Sequence, residues 1–108
     1  MSRRVAITVQ TDDGLSSLLD PRFGRAPVYL IVDSDSRSVI DVVENQNRDA
    51  AHGAGTGAAA AMNTKGVDVV ISGRFGPKAF QALDILHIEM WSAPEMSVAS
   101  RKRWPGTM

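Results

Sequence analysis

Gly66-Val67-Asp68-Val69-Val70-Ile71-Ser72-Gly73-Arg74-Phe75-Gly76-Pro77-Lys78 decides the fold. Val67 to Ser72 is a β-branched run of the kind found in buried strands. Pro77 suits the first helical position, where the missing N–H would have had no partner anyway. Ala79, Phe80, Leu83 and Leu86 then share one face of a helix running to about Leu86. Ile88-Glu89-Met90-Trp91 supplies the next strand. A strand–helix–strand unit of this length makes a parallel pair with a right-handed crossover.

Working outward, the alanines 58–61 and Met62 place a second helix over Gly55 to Lys65, with Asn63-Thr64-Lys65-Gly66 as its stop. Three strands precede it. Val5 to Thr11 ends at the turn signal Asp12-Asp13-Gly14, and Val28 to Val32 and Val39 to Val43 follow. The link Asp33-Ser34-Asp35-Ser36-Arg37 is short, so those two strands form a hairpin. The order β-β-β-α-β-α-β predicts an α/β fold with a five-stranded mixed sheet, at least its last three strands parallel. Residues 1–91 make one α/β domain. Residues 92–108 contain Pro94 and Pro105 without periodicity, and are expected to form a loose basic tail.

Twelve basic and twelve acidic side chains cancel in these 108 residues. No global field therefore recruits nucleic acid or a membrane surface. Arg101, Lys102 and Arg103 cluster near the end, which leaves the body slightly acidic. Any anion site in the body must be local. The chain has no cysteine and two histidines, His52 and His87. Thiolate catalysis, disulfides and Cys-ligated zinc or iron–sulfur centres are excluded. Val5 to Val9 is too short for a secretory h-region and no run reaches membrane-span length, so a cytoplasmic location is expected.

Three glycine segments carry the chemistry. Asp20-Pro21-Arg22-Phe23-Gly24-Arg25-Ala26-Pro27 is a proline-stiffened loop that displays Arg22 and Arg25, with Phe23 packed beneath. His52-Gly53-Ala54-Gly55-Thr56-Gly57 feeds a helix, and so offers free backbone N–H groups and the positive end of a helix dipole. It lacks the lysine and hydroxyl of a phosphate-binding loop, and the preceding strand of a dinucleotide fingerprint. The same glycines would also permit tight helix–sheet packing. Arg74, Phe75 and Gly76 follow a strand and open a helix, where ligands settle in open α/β sheets. There Arg74 offers a guanidinium fork and Lys78 a point charge.

Catalysis finds no footing. Asp12, Asp13, Asp33 and Asp68 do not supply the acid on the first helix that a two-metal nuclease wants. No serine or histidine triad is credible either. The chain is expected not to be an enzyme.

Arg22-Phe23-Gly24-Arg25-Ala26-Pro27, the segment His52 to Gly57, and Gly66 to Gly73 with Gly76-Pro77 together resemble the dinitrogenase iron-molybdenum cofactor biosynthesis family over about residues 4–91. The Asp20-Pro21-Arg22-Phe23-Gly24-Arg25 form is most similar to its orange-protein branch. The resemblance implies a ribonuclease-H-like sheet without nuclease activity. It also implies a non-covalently carried anionic cluster, either molybdenum–copper sulfide or a related iron–molybdenum–sulfur species. An ATPase or cluster-assembly protein is the implied partner. Relatives often have histidine where this chain has Arg22, so charge pairing replaces metal ligation at that position. The implied cluster-binding set is Arg22, Phe23, Gly24, Arg25, His52, Gly53, Ala54, Gly55, Thr56, Gly57, Arg74, Phe75 and Gly76, with no side-chain metal ligand. Two other readings stay open: a cluster-free interaction or regulatory module using the same loops, and a phosphate or nucleotide sensor.

Overall fold

The computed structural model describes residues 3–98. Strands β1 (Arg4–Val9), β2 (Val28–Asp33) and β3 (Val39–Glu44) come first. Helix α1 (Ala54–Thr64), strand β4 (Val69–Ser72), helix α2 (Pro77–Ile85) and strand β5 (Glu89–Ser92) complete the order that the sequence predicts. The strands form one sheet in the order β3-β2-β1-β4-β5. β1 pairs antiparallel with β2 and β2 with β3, whereas β1–β4 and β4–β5 are parallel. This is the five-stranded mixed α/β sheet expected from the sequence, in the ribonuclease-H-like order. β3, β4 and β5 do run in one direction, yet β2 and β1 stand between β3 and the other two.

Alternation along the strands sorts the core into two layers. Ala6, Tyr29, Ile31 and Val70 face both helices, which reach them through Ala58, Ala59 and Met62 of α1 and Ala79 and Leu83 of α2. The small alanines let the helices lie close to the sheet. Phe80, expected on the buried stripe of α2, is instead 53% exposed. The stripe is Ala79, Ala82, Leu83 and Leu86. Residue 80 lies about a hundred degrees further round the helix than 79, and falls on the solvent edge of so narrow a stripe.

Val5, Ile7, Val9, Leu30, Val32, Val69 and Ile71 fill the other layer, and no helix among the described residues covers them. Leu19, Ala93 and Val98 close over that face instead, with Trp91 and Met96 packed against them. The two covering segments are tied together. The Leu19 N–H donates to the Met96 carbonyl at 2.8 Å, and the Val98 N–H to the Ser17 carbonyl at 3.0 Å. This corrects the expected loose tail 92–108 over its first part: the segment 92–98 is anchored to the sheet, with Ala93 and Val98 buried. A sheet face left bare by the helices needs apolar cover, and aperiodic chain supplies it. Residues 99–108, with the basic cluster 101–103, lie outside the described residues. No helix among the described residues is long and apolar enough to cross a membrane.

Candidate functional site: a cationic cleft between two helix N-termini

β1, β3 and β4 run in one direction, so their carboxyl ends share one edge of the sheet. The loops that follow them hold all three glycine segments. Arg22 and Arg74 sit side by side there as an isolated parallel bridge. The Arg74 N–H donates to the Pro21 carbonyl at 2.8 Å, and the Phe23 N–H to the Arg74 carbonyl at 3.3 Å. Gly73 makes this approach possible. A Cβ at that position would stand 2.5 Å from the Pro21 Cα and 2.8 Å from its carbonyl oxygen.

Both helices begin at the same edge. Gly53 caps α1 in the left-handed region at φ 77°, a conformation that favours glycine, and Gly76 caps α2 ahead of Pro77. Neither cap offers a side-chain acceptor, and neither first turn holds an acid. Most helices offset their free N–H groups with Ser, Thr, Asp or Asn at this position. Here the first returning bonds are Gly57 N–H to the Gly53 carbonyl and Phe80 N–H to the Gly76 carbonyl, both 2.8 Å. The N–H groups ahead of them remain for an outside acceptor. A Cβ on Gly55 would meet the Ala79 Cβ at 2.9 Å, so the two first turns lie against each other.

Between these elements opens a cavity of about 590 Å³. Every residue of the expected set lines it except Gly57, and Ala51, Pro77, Lys78 and Ala79 extend the wall. No aspartate or glutamate is on the wall. Gly57, expected with that set, does not line the cavity. It is small because Asn47 packs on it, with the Asn47 Cγ only 2.7 Å from where a Cβ would be. The sequence offers Lys78 as a point charge beside Arg74, whereas Ala51 and Ala79 carry no signal, since a small residue near a helix start is ordinary.

The cations differ in what they already hold. Arg74, Lys78 and His52 are exposed, and among the described residues their side chains make no hydrogen bond or ion pair. Arg22 instead forks onto Asp20: Nε donates to Oδ1 and Nη2 to Oδ2, both at 3.2 Å. That hydrogen bond, and then the attraction of the carboxylate, raise the Arg22 pKa further above its already high value. Arg25 donates through Nη1 to the carbonyls of Arg48 at 3.0 Å and Ala50 at 2.7 Å. Part of its donor capacity thus ties down the loop that leads to His52. Asn45 adds to that tie, its Nδ2 donating to the Gly24 and Ala26 carbonyls at 2.9 and 2.8 Å.

Aromatic packing supports the loops from below. Phe23 is buried beneath its loop, as expected, yet one side of it reaches the cavity. Its ring lies 5.5 Å from Phe75 and 5.8 Å from Tyr29. The Tyr29 hydroxyl donates to the Phe23 carbonyl at 2.5 Å. Burial, and secondarily the charge of Asp20, push the Tyr29 phenol well above its ordinary range. A raised acid pKa favours the folded protein below the unfolded value near 10, and that contribution is lost as the pH climbs past it. Tyr29→Phe is accordingly expected to flatten the fall in stability above about pH 10. It should also cost about 1–3 kcal/mol at neutral pH, since the buried Phe23 carbonyl loses its donor. Urea unfolding at pH 7 and pH 11 checks both; equal alkaline loss in the two proteins would refute the assignment.

Among the described residues, no three His, Cys, Asp or Glu side chains gather as metal ligands. The arrangement offers guanidinium and ammonium groups, two helix N-termini and an apolar floor of Phe23, Phe75 and alanines. Fold and cleft define a small α/β protein with a glycine-lined, acid-free pocket at the carboxyl edge of its sheet.

The chain belongs to the dinitrogenase iron-molybdenum cofactor family, which it matches over residues 3–101. It is similar to the orange protein from Desulfovibrio gigas, solved in its apo form, at 37% identity. That likeness covers 90% of this chain and 81% of the other, with a TM-score of 0.83. A Thermotoga protein solved by NMR as a candidate NifB protein is 35% identical over 89% of this chain and 80% of its own, with a TM-score of 0.75. An uncharacterized protein of Methanocaldococcus jannaschii is 32% identical over 82 residues, 74% of this chain and 70% of the relative.

Proposed function

We propose that this protein binds and carries a preformed, anionic metal–sulfur cluster without covalent bonds to it, and that it is a carrier and not a catalyst. One observation supports this above the rest. Two glycine-capped helix N-termini meet at one cavity with Arg74 and Lys78, whose side chains have no partner among the described residues, and no acid is on its wall. A cluster that brings its own sulfides needs only charge and N–H donors from the protein, which is what a chain without cysteine can offer. Family membership and likeness to the orange protein support the same reading. Within it, a molybdenum–copper sulfide is the favoured guest, with an iron–molybdenum–sulfur precursor as the alternative. An ATPase or cluster-assembly protein of the cytoplasm is the proposed donor or recipient.

Charge-assisted contacts contribute about 1.5–3 kcal/mol each, and a helix N-terminus about 0.3–1 kcal/mol. A few of these, less the entropy of association, place the affinity near micromolar at best. That scale suits a guest that must be handed on. Anaerobic mixing with tetrathiomolybdate and copper(I) should yield a coloured protein that retains both metals through gel filtration, with equal retention absent for phosphate or nucleotides in calorimetry. Colourless, metal-free protein from every such mixture, alongside measurable nucleotide heat, would replace this reading with that of a phosphate sensor.

A further inference from the structure

Asp20 is the one buried acid among the described residues, its side chain 4% exposed, whereas the Arg22 side chain on it is 52% exposed. The backbone of Asp20 is anchored without help from Arg22. Its N–H donates to the Thr8 carbonyl, and its carbonyl accepts from Thr8 Oγ1, both at 2.8 Å. Thr8 Oγ1 lies 2.9 Å from the buried Ser72 Oγ, at the end of the neighbouring strand. The backbone that carries the buried carboxylate is thus fixed in place by the sheet itself. Its Oδ1 also accepts the Arg22 N–H at 2.8 Å, which closes a tight local turn.

Taking the cavity as an anion site, as above, we propose that Asp20 is a positioning residue: a resident counter-anion that holds the Arg22 fork closed at the cavity wall and so caps how tightly the guest is held. An incoming anion cannot win Arg22 away cheaply. To do so it would leave a buried carboxylate unpaired, at a cost that a solvent-exposed ion pair with the guest does not offset. Arg22 therefore meets the guest as half of a nearly neutral pair, with only the donors that Asp20 leaves over. Arg74 and Lys78 meet it as full cations. Binding is kept weak enough to reverse, by a charge that the guest never touches.

Asp20→Asn tests this. Asparagine keeps an Oδ1 for the Arg22 N–H and Nε and so keeps the turn, but its Nδ2 donor opposes the Arg22 Nη2 donor and its neutrality leaves the guanidinium charge unbalanced. Tetrathiomolybdate, followed by its absorbance in equilibrium dialysis, is expected to bind about tenfold more tightly to this variant, the scale of one nearby charge removed at a partly solvated site. Its affinity should fall more steeply with added salt, and the double variant Asp20→Asn/Arg22→Ala should lose the gain. A merely structural Asp20 would give the opposite, weaker binding with a lowered melting temperature. Should Asp20→Asn fail to fold, Asp20→Ser carries the same expectation, since a serine hydroxyl can also accept the Arg22 N–H. Wild-type binding with unchanged or weaker binding in a folded variant overturns the role of Asp20 and leaves the carrier reading intact. No binding to the wild-type protein overturns both.

Discussion

Gly73→Ala is expected to lower the stability of the fold by about 1–3 kcal/mol, and to weaken thiomolybdate binding at the same time. The added methyl carbon would lie 2.5 Å from the Pro21 Cα, against backbone that cannot rotate away as a side chain could. Relief requires the 20–27 loop to move off the 73–76 loop. That movement stretches the bond from the Arg74 N–H to the Pro21 carbonyl and parts Arg22 from Arg74. In a domain of this size each kcal/mol lowers the melting temperature by roughly 4–8 °C. Thermal unfolding and dialysis, run side by side, check the coupled loss. A melting temperature within about 2 °C of wild type would show that the loops do not depend on this contact.

Arg74→Ala should separate binding from stability. Its guanidinium is exposed and has no side-chain partner among the described residues, so the melting temperature should hold. Thiomolybdate affinity should drop by about ten- to a hundredfold, the weight of one charge-assisted contact. Arg74→Lys keeps the charge but not the planar fork, and should fall between the two. Arg25→Ala gives a useful contrast. It removes the tie to the Arg48 and Ala50 carbonyls, so stability and binding should decline together. If Arg74→Ala bound as well as wild type, the cleft between the helix N-termini would not be where the guest sits.

Much of this is legible in the residues. Pro77 after Gly76 marks a helix start, and the run from Val67 to Ser72 marks a buried strand, because both signals are local. The three glycine segments fall on one edge as soon as strand order and direction are assigned. Other features cannot be read that way. Phe80 reads as core because apolar residues three and four apart share a helix face, but the width of that face depends on what the sheet presents to it. The segment 92–98 has no periodicity, and the burial of its Ala93 and Val98 follows from a face that two helices on the opposite side cannot cover. Gly57 shares its motif with Gly53 and Gly55, but stands against Asn47 one turn further along, away from the cleft.

The sequence alone settled the order of elements, the absence of thiolate chemistry, and the two helices opening on glycine with no acid in the first turn. These depend on residue type and near neighbours. Tertiary structure decided which cations stand at the cavity wall and which of them are already paired. Asp20 became a buried counter-charge only when β1 and the β4 end enclosed it, and Arg25 became a strap only when the 45–52 loop came within its reach. A side chain's charge is written in the chain, but the partner that neutralises it is chosen by distance in space.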